Sequence, residues 1–232
     1  MNCYILTSDR LVNKTCKMID WNFKKFWPEI NVIILGYSYP DIMPTHAKFI
    51  SIGVDNGVDT ICSQVSSYFE SIQDEFFVFE VDDKPLIHKV NHSLFNILCD
   101  VIEKDKKIGR IGLTKDNFKR SHKVVGVMGS LSIFKNDHNT KYRLSCTYSI
   151  WNKEFFIDYA KKCTTLWDFE IRGSELSKNS DWMIFGSNPW ILDSGHLYRK
   201  GGKLIDCWYC GIYTSNKFSD EDVKYLRNIY GI

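Results

Sequence analysis

The stretch FFVFEVDDKP, residues 76 to 85, constrains this chain more than any other. A short run of phenylalanine and valine reads as a strand buried on both faces, the kind a helix-covered parallel sheet requires. Here the run ends directly in carboxylates, at Glu80, Asp82 and Asp83.

The segments before it supply the rest of such a sheet. CYILTSD is a first strand running into a loop, and KMIDWNFKKFWPEI has apolar residues at helical spacing with Pro28 near its end. NVIILGYS is a second strand stopped by Gly36 and SYPD, and KFISIGVDNG a third. VDTICSQVSSYFESIQ is an amphipathic helix, and FFVFEV the fourth strand. That order predicts an α/β fold, a mixed sheet with several parallel strands, flanked by helices. Further on, HKVNHSLFNILCDVIEKDKK reads as a helix and RIGLT as a strand. VVGVMGSLSIF and KYRLSCTYSIW read as extended segments, NKEFFIDYAKKC as a helix, IDCWYCGIY as a strand, and SDEDVKYLRNIY as a helix capped by Ser219. We expect one domain over residues 1–232, an orderly half to residue 110 and an irregular, tryptophan-rich half from 111.

Composition narrows the partners. Hydrophobic residues make up 44% and aromatics 15%, ample for a packed core. Thirty basic against 28 acidic side chains leave a net charge of +2, with no global pull toward nucleic acid or an anionic membrane. No apolar run approaches bilayer length, and MNCYILTSDR turns polar too early for a secretory segment, so no membrane insertion and a cytoplasmic location are expected. The eight cysteines then read as reduced thiols. Cys207 and Cys210 in CWYC have knuckle spacing, but no second CxxC completes a zinc site. His88 and His92 sit four apart, yet Lys89 stands where a zinc protease carries its glutamate. The tryptophans at 151, 167, 182, 190 and 208 suit a core or a sugar-stacking surface.

In parallel sheets, ligands bind beyond the carboxyl ends of the strands. Glu80 and Asp82 are two apart, so on a strand they face the same way, and Asp83 follows at the break. Clustered carboxylates repel, and a divalent cation relieves them; hard oxygen ligands suit magnesium or manganese, which also hold substrate phosphates. The plain alternative is a solvated loop paired with Lys84 or Lys89. A second acidic pair, Asp168 and Glu170 in WDFE, lies between aromatics that raise a carboxylate's proton affinity. It reads either as a general base or as a helix-start pair beside a core tryptophan.

SIQDEFFVFEVDD, YRLSCTYSIWNKEFFIDYAKKCTTLWDFEIRGS and KKFWPEINVIILG together resemble small bacterial and phage nucleotide-sugar glycosyltransferases with the glycosyltransferase-A fold, a Rossmann-related sheet with an irregular acceptor half. The resemblance runs in order from residue 1 to about 203. It implies transfer of a sugar from a nucleoside diphosphate, UDP-linked, to an acceptor hydroxyl. It implies Asp82 and Asp83 as ligands of Mn²⁺ or Mg²⁺, with Glu80, Trp151 and Lys203 in the donor site. It also implies contacts from Thr7, Ser8 and Asp9 to the base or ribose, and Glu170 as the base with Asp168 second. HLYRKGGKL, with His196, Arg199, Lys200, Gly201, Gly202 and Lys203, reads as a basic loop for the leaving diphosphate or as an ordinary turn. The acceptor would be a glycan, a protein or a modified DNA base. Two rival readings stand beside it: a sugar nucleotidyltransferase, and a carbohydrate- or DNA-binding protein without turnover. The first would carry a glycine- and basic-rich loop after its first strand, whereas TSDRLVNKT has no glycine.

Overall fold

The structure, a computed structural model, describes residues 1–114, 122–189, 191–192, 197–200, 203–206 and 220–230. The four apolar runs of the first half become β1 (Asn2–Leu6), β2 (Asn31–Gly36), β3 (Lys48–Ser51) and β4 (Phe76–Val81). They pair in parallel, β2 with β1 and β3, and β1 with β4. Between them run α1 (Val12–Phe26) and α2 (Ile61–Ser71).

Strand alternation divides the apolar residues between two cores. Cys3 and Ile5 of β1, with Phe76 and Val78 of β4, join the α1 residues Met18, Ile19 and Phe23. Tyr4, Leu6, Phe77 and Phe79 join Val65 and Phe69 of α2 on the other side. Period two on the strands and 3.6 on the helices therefore make one sheet covered on both faces.

The second half continues the same sheet. After α3 (His92–Lys104), β5 (Ile108–Gly112) runs parallel to β4, because both are antiparallel to β8 (Ser149–Asn152), which lies between them. The hairpin β6 (His122–Met128) and β7 (Leu131–Asn136) forms the far edge, joined through β9 (Met183–Asn188). Among the described residues the order is β3-β2-β1-β4-β8-β5-β9-β7-β6. After β8 come α4 (Lys153–Ala160) and a run of short turns: α5 (Leu166–Asp168), a π turn (Phe169–Gly173) and α6 (Ser174–Leu176). β10 (Leu197–Lys200) and β11 (Lys203–Asp206) form a separate hairpin. The last helix, α7 (Asp220–Tyr230), lays Tyr225 against Trp21 of α1 at 4.9 Å.

Three expectations are corrected. VVGVMGSLSIF is not one extended segment but the β6–β7 hairpin, turning at Gly129, whose φ of 63° suits glycine. The helix expected from residue 88 begins at His92, because the Asn91 side chain accepts the Leu94 amide at 3.1 Å and caps it, while the Val90 amide is taken by the Phe26 carbonyl. His88 is thus outside the helix, and His92 accepts a hydrogen bond from the Trp27 indole. KYRLSCTYSIW is strand only at its end, from Ser149. Ser219, Cys207, Cys210, Trp190 and Trp208 lie outside the described residues.

α4 packs on β5 so closely that a Cβ on Gly109 would lie 2.6 Å from the Phe155 ring. Phe155 is itself fully buried. Gly109→Ala is therefore expected to destabilise the fold by about 1–3 kcal/mol through overpacking, read from urea unfolding. A variant as stable as the parent would show that Phe155 has room to move.

Candidate functional site

The carboxyl ends of β1 and β4 are bound together just past their last strand residues. The Asp82 amide donates to the Leu6 carbonyl at 3.0 Å, and the Thr7 hydroxyl donates to Asp82 Oδ2 at 2.7 Å. Asp9 accepts both the amide and the hydroxyl of Ser38, each at 2.7 Å, which ties the loop after β1 to the loop after β2. Gly36 permits this closure, since a Cβ there would meet Phe49 at 2.8 Å and the Thr7 methyl at 3.1 Å. Thr7 and Asp9 therefore shape the edge, while Ser8 is exposed.

The expected carboxylate group separates into two kinds. Glu80 has no exposed surface. Its Oε1 accepts from the Val81 amide at 2.8 Å and Lys84 Nζ at 3.2 Å, and its Oε2 from the Tyr148 amide at 2.5 Å. Burial pushes its carboxyl up to about 8, with Lys84 acting the other way. Asp82 is half-buried against Thr7, and the Asp83 side chain is 36% exposed, with Oδ1 3.7 Å from Lys84 Nζ. Burial disfavours the charge on Lys84, but Glu80, then Asp83 and Glu170, outweigh it and raise the lysine's pKa. Lys84 was expected only as a loop partner; it is instead the cation on which both acidic sequences converge.

Glu170 reaches this point through an irregular segment. In residues 144–148, alternate amides point to side chains rather than to a neighbouring strand. Leu144 donates to Ser174 Oγ at 2.9 Å, Cys146 to Glu170 Oε1 at 2.6 Å, and Tyr148 to Glu80. This is why the segment is not a strand: its ladder donors are already used. Two buried arginines hold it, Arg110 through the Arg143 carbonyl and the Thr147 hydroxyl, and Arg143 through the carbonyls of Ser177 and Trp182. Sequence reading passed over both arginines, because nothing local marks them as buried.

Glu170 sits on the π turn, a geometry frequent at functional sites. Its Oε1 also accepts from the Ser145 hydroxyl at 3.1 Å, whereas its Oε2 takes no hydrogen bond from a described residue. Three positions earlier, and so on the same helical face, Trp167 is 66% exposed, with the Tyr142 ring at 6.5 Å. Tyr142 has a φ of 53°, uncommon for a residue other than glycine. Asp168 has a local contact set: its Oδ2 accepts the Thr164 amide, and its own amide donates to the Thr165 hydroxyl, a helix-start arrangement.

Trp151, expected at the donor, is fully buried in the core beside Phe155, Phe156 and Phe169. Like Glu80, it offers a ligand no surface in this structure. Lys203, Arg199 and Lys200 lie in the β10–β11 hairpin, with their side chains outside the described residues, as are His196, Gly201 and Gly202. Among the described residues, no three His, Cys, Asp or Glu side chains are grouped to hold a metal ion. No helix among them is long and apolar enough to cross a membrane.

No protein-family model matches the sequence, and no curated protein matches it. Solved structures resemble it in fold. Staphylococcus aureus TarS matches at 12% identity and TM-score 0.49, over 80% of this chain and 35% of that one. A cytidylyltransferase from Leptospira borgpetersenii matches at 12% and 0.48, over 98% and 93%. A UDP-glucose pyrophosphorylase complexed with UDP-glucose matches at 9% and 0.46, over 100% and 99%. At these identities and scores the likeness is one of strand arrangement and assigns no residue a role.

Proposed function

We propose that this chain is a metal-assisted glycosyltransferase moving a sugar from a nucleoside diphosphate, UDP-linked, to an acceptor hydroxyl. The observation that carries the reading is the state of Glu170: one oxygen fixed by a backbone amide, the other accepting no hydrogen bond from a described residue, three positions after an exposed tryptophan. A base needs that combination of fixed direction and an open lone pair.

Asp82 and Asp83 are the residues that would hold Mn²⁺ or Mg²⁺. Two hard carboxylates at a sheet edge fit such an ion when substrate phosphates complete its shell. When bound, the ion would neutralise charge on the departing diphosphate. The chain does the rest. Thr7 fixes Asp82, and Lys84 offsets the buried Glu80. Ser8 and Asp9 border the donor, Lys203 adds positive charge from β11, and Trp167 with Tyr142 offers ring surface to an acceptor sugar. Glu170 accepts the acceptor's proton at Oε2 in an inverting transfer, and Asp168 is the second candidate. A nucleotidyltransferase would be expected to cradle phosphates in a glycine-rich loop after β1. Here Asp9 enters a helical turn and is spent on Ser38.

The test is calorimetric titration of the full chain with UDP, GDP and their sugar conjugates, with and without Mn²⁺. Binding should require Mn²⁺ and weaken at least about tenfold in Asp83→Asn, about 1.4 kcal/mol. If no nucleotide binds with or without the metal, the transferase reading fails.

A further inference from the structure

At the opposite edge of the sheet a cavity of about 320 Å³ opens between Lys107, Tyr159, Ser180, Asp181 and Trp182. Lys107 and Trp182 immediately precede the parallel strands β5 and β9, so this is the amino edge, away from Asp82 and Asp83. The volume is at the lower end of the range for ligand pockets.

The walls are fixed in advance. Arg143, 1% exposed, donates to the Trp182 carbonyl at 2.6 Å and the Ser177 carbonyl at 2.7 Å, clamping both ends of the turn that carries Ser180 and Asp181. The Ser180 hydroxyl donates to the Ser177 carbonyl at 2.7 Å, which leaves its oxygen able to accept. The Met183 amide donates to the Lys107 carbonyl at 2.9 Å and joins the two walls. The Trp182 ring rests on Phe155 at 5.3 Å.

The charges select the ligand. Lys106 also lines the cavity, but it is paired with Glu75 at 2.6 Å and lies over the Phe76 ring. Asp158 is paired with Lys162 at 2.8 Å. That leaves Lys107 and Asp181, which have no ion-pair partner among the described residues and cancel each other. A cavity with no net charge, a partly exposed indole, and separate cationic, anionic and hydroxyl groups suits a neutral polyol with an apolar face. Such a ligand stacks its C–H face on a ring and shares hydroxyls among the polar groups.

We propose that this cavity is a second carbohydrate-binding site, taking one neutral hexopyranose unit with its C–H face against Trp182 and its hydroxyls between Lys107, Asp181 and Ser180. It goes beyond the transfer reaction and does not require it. Preformed walls reduce the ordering cost of binding. Arg143 also directly precedes the 144–148 segment, whose amides donate to Glu170 and Glu80, so one buried residue adjoins both places.

The experiment is an NMR titration of the ¹⁵N-labelled full chain with glucose, galactose, mannose and N-acetylglucosamine. The Trp182 indole signal is assigned by its loss in Trp182→Phe. At least one sugar should shift it saturably, with a midpoint on the order of 1 mM. Lys107→Gln and Asp181→Asn should each weaken that binding about tenfold or more, the effect of a lost charge-assisted hydrogen bond. Both sites are exposed, so the variants should keep the fold, and their unchanged remaining spectrum checks it. The response should persist in Asp83→Asn. If no sugar moves the signal, if inorganic phosphate moves it and sugars do not, or if Asp83→Asn abolishes it, the proposal is overturned. A sugar response in a chain that binds no nucleotide would sink the transferase reading and leave this one standing.

Discussion

Glu170→Gln is expected to slow sugar transfer by about 10² to 10⁴-fold while leaving Mn²⁺-dependent donor binding unchanged. The substitution keeps the volume of the side chain and an oxygen able to accept from the Cys146 amide, so the π turn and the 144–148 segment stay in place. What is lost is the capacity of the second oxygen to take a proton. The loss should therefore appear in kcat, not in the donor affinity. The informative comparison is Asp168→Asn, whose carboxylate accepts the Thr164 amide; a modest loss of stability with a nearly normal rate is expected. Equal rates in parent and Glu170→Gln would remove Glu170 from the chemistry. A larger rate loss in Asp168→Asn would reverse the two assignments.

The second large effect is on stability. Lys84→Met should destabilise the fold by about 3–5 kcal/mol, because it leaves the wholly buried Glu80 without its ammonium. The pH dependence identifies the cause. The folded Glu80 carboxyl is raised to about 8 from an ordinary 4.5, so its protonated form favours the fold. That contribution is complete below 4.5 and is lost as pH rises through 8, where Lys84 limits the loss in the parent. The deficit of Lys84→Met should thus be largest above pH 8 and shrink as pH falls below 8, where Glu80 is protonated in both chains. Adding Glu80→Gln should restore most of the stability at high pH. Urea unfolding across this range measures all three chains, and a deficit independent of pH would mean that Lys84 acts through packing alone.

The first half of the fold was legible from local patterns. CYIL, NVIILG, KFIS and FFVFEV carry their strand identity in apolar runs, and KMIDWNFKKF its helix in 3.6 spacing; these periods survive because each faces a core. The second half was less legible where side chains replace backbone partners. Asn91 moved a helix start, and Ser174, Glu170 and Glu80 drew the amides of 144–148 out of any strand. Trp151 and Trp167 are the same residue type in similar aromatic company, yet one is in the core and the other 66% exposed.

The sequence by itself determined the order of strands and helices as far as β4, the two-sided packing of that part of the sheet, and the delivery of carboxylates to a strand end, because all three follow from short-range periodicity. The tertiary structure decided which carboxylates face solvent and which are enclosed. It bound Glu80 to the Tyr148 amide, 68 residues away, and Glu170 to the Cys146 amide, 24 residues away, and paired Lys84 with Glu80. Hydrogen bonds and charge pairs across such separations have no period in the sequence, and burial, which sets their strength, exists only once both halves share one sheet.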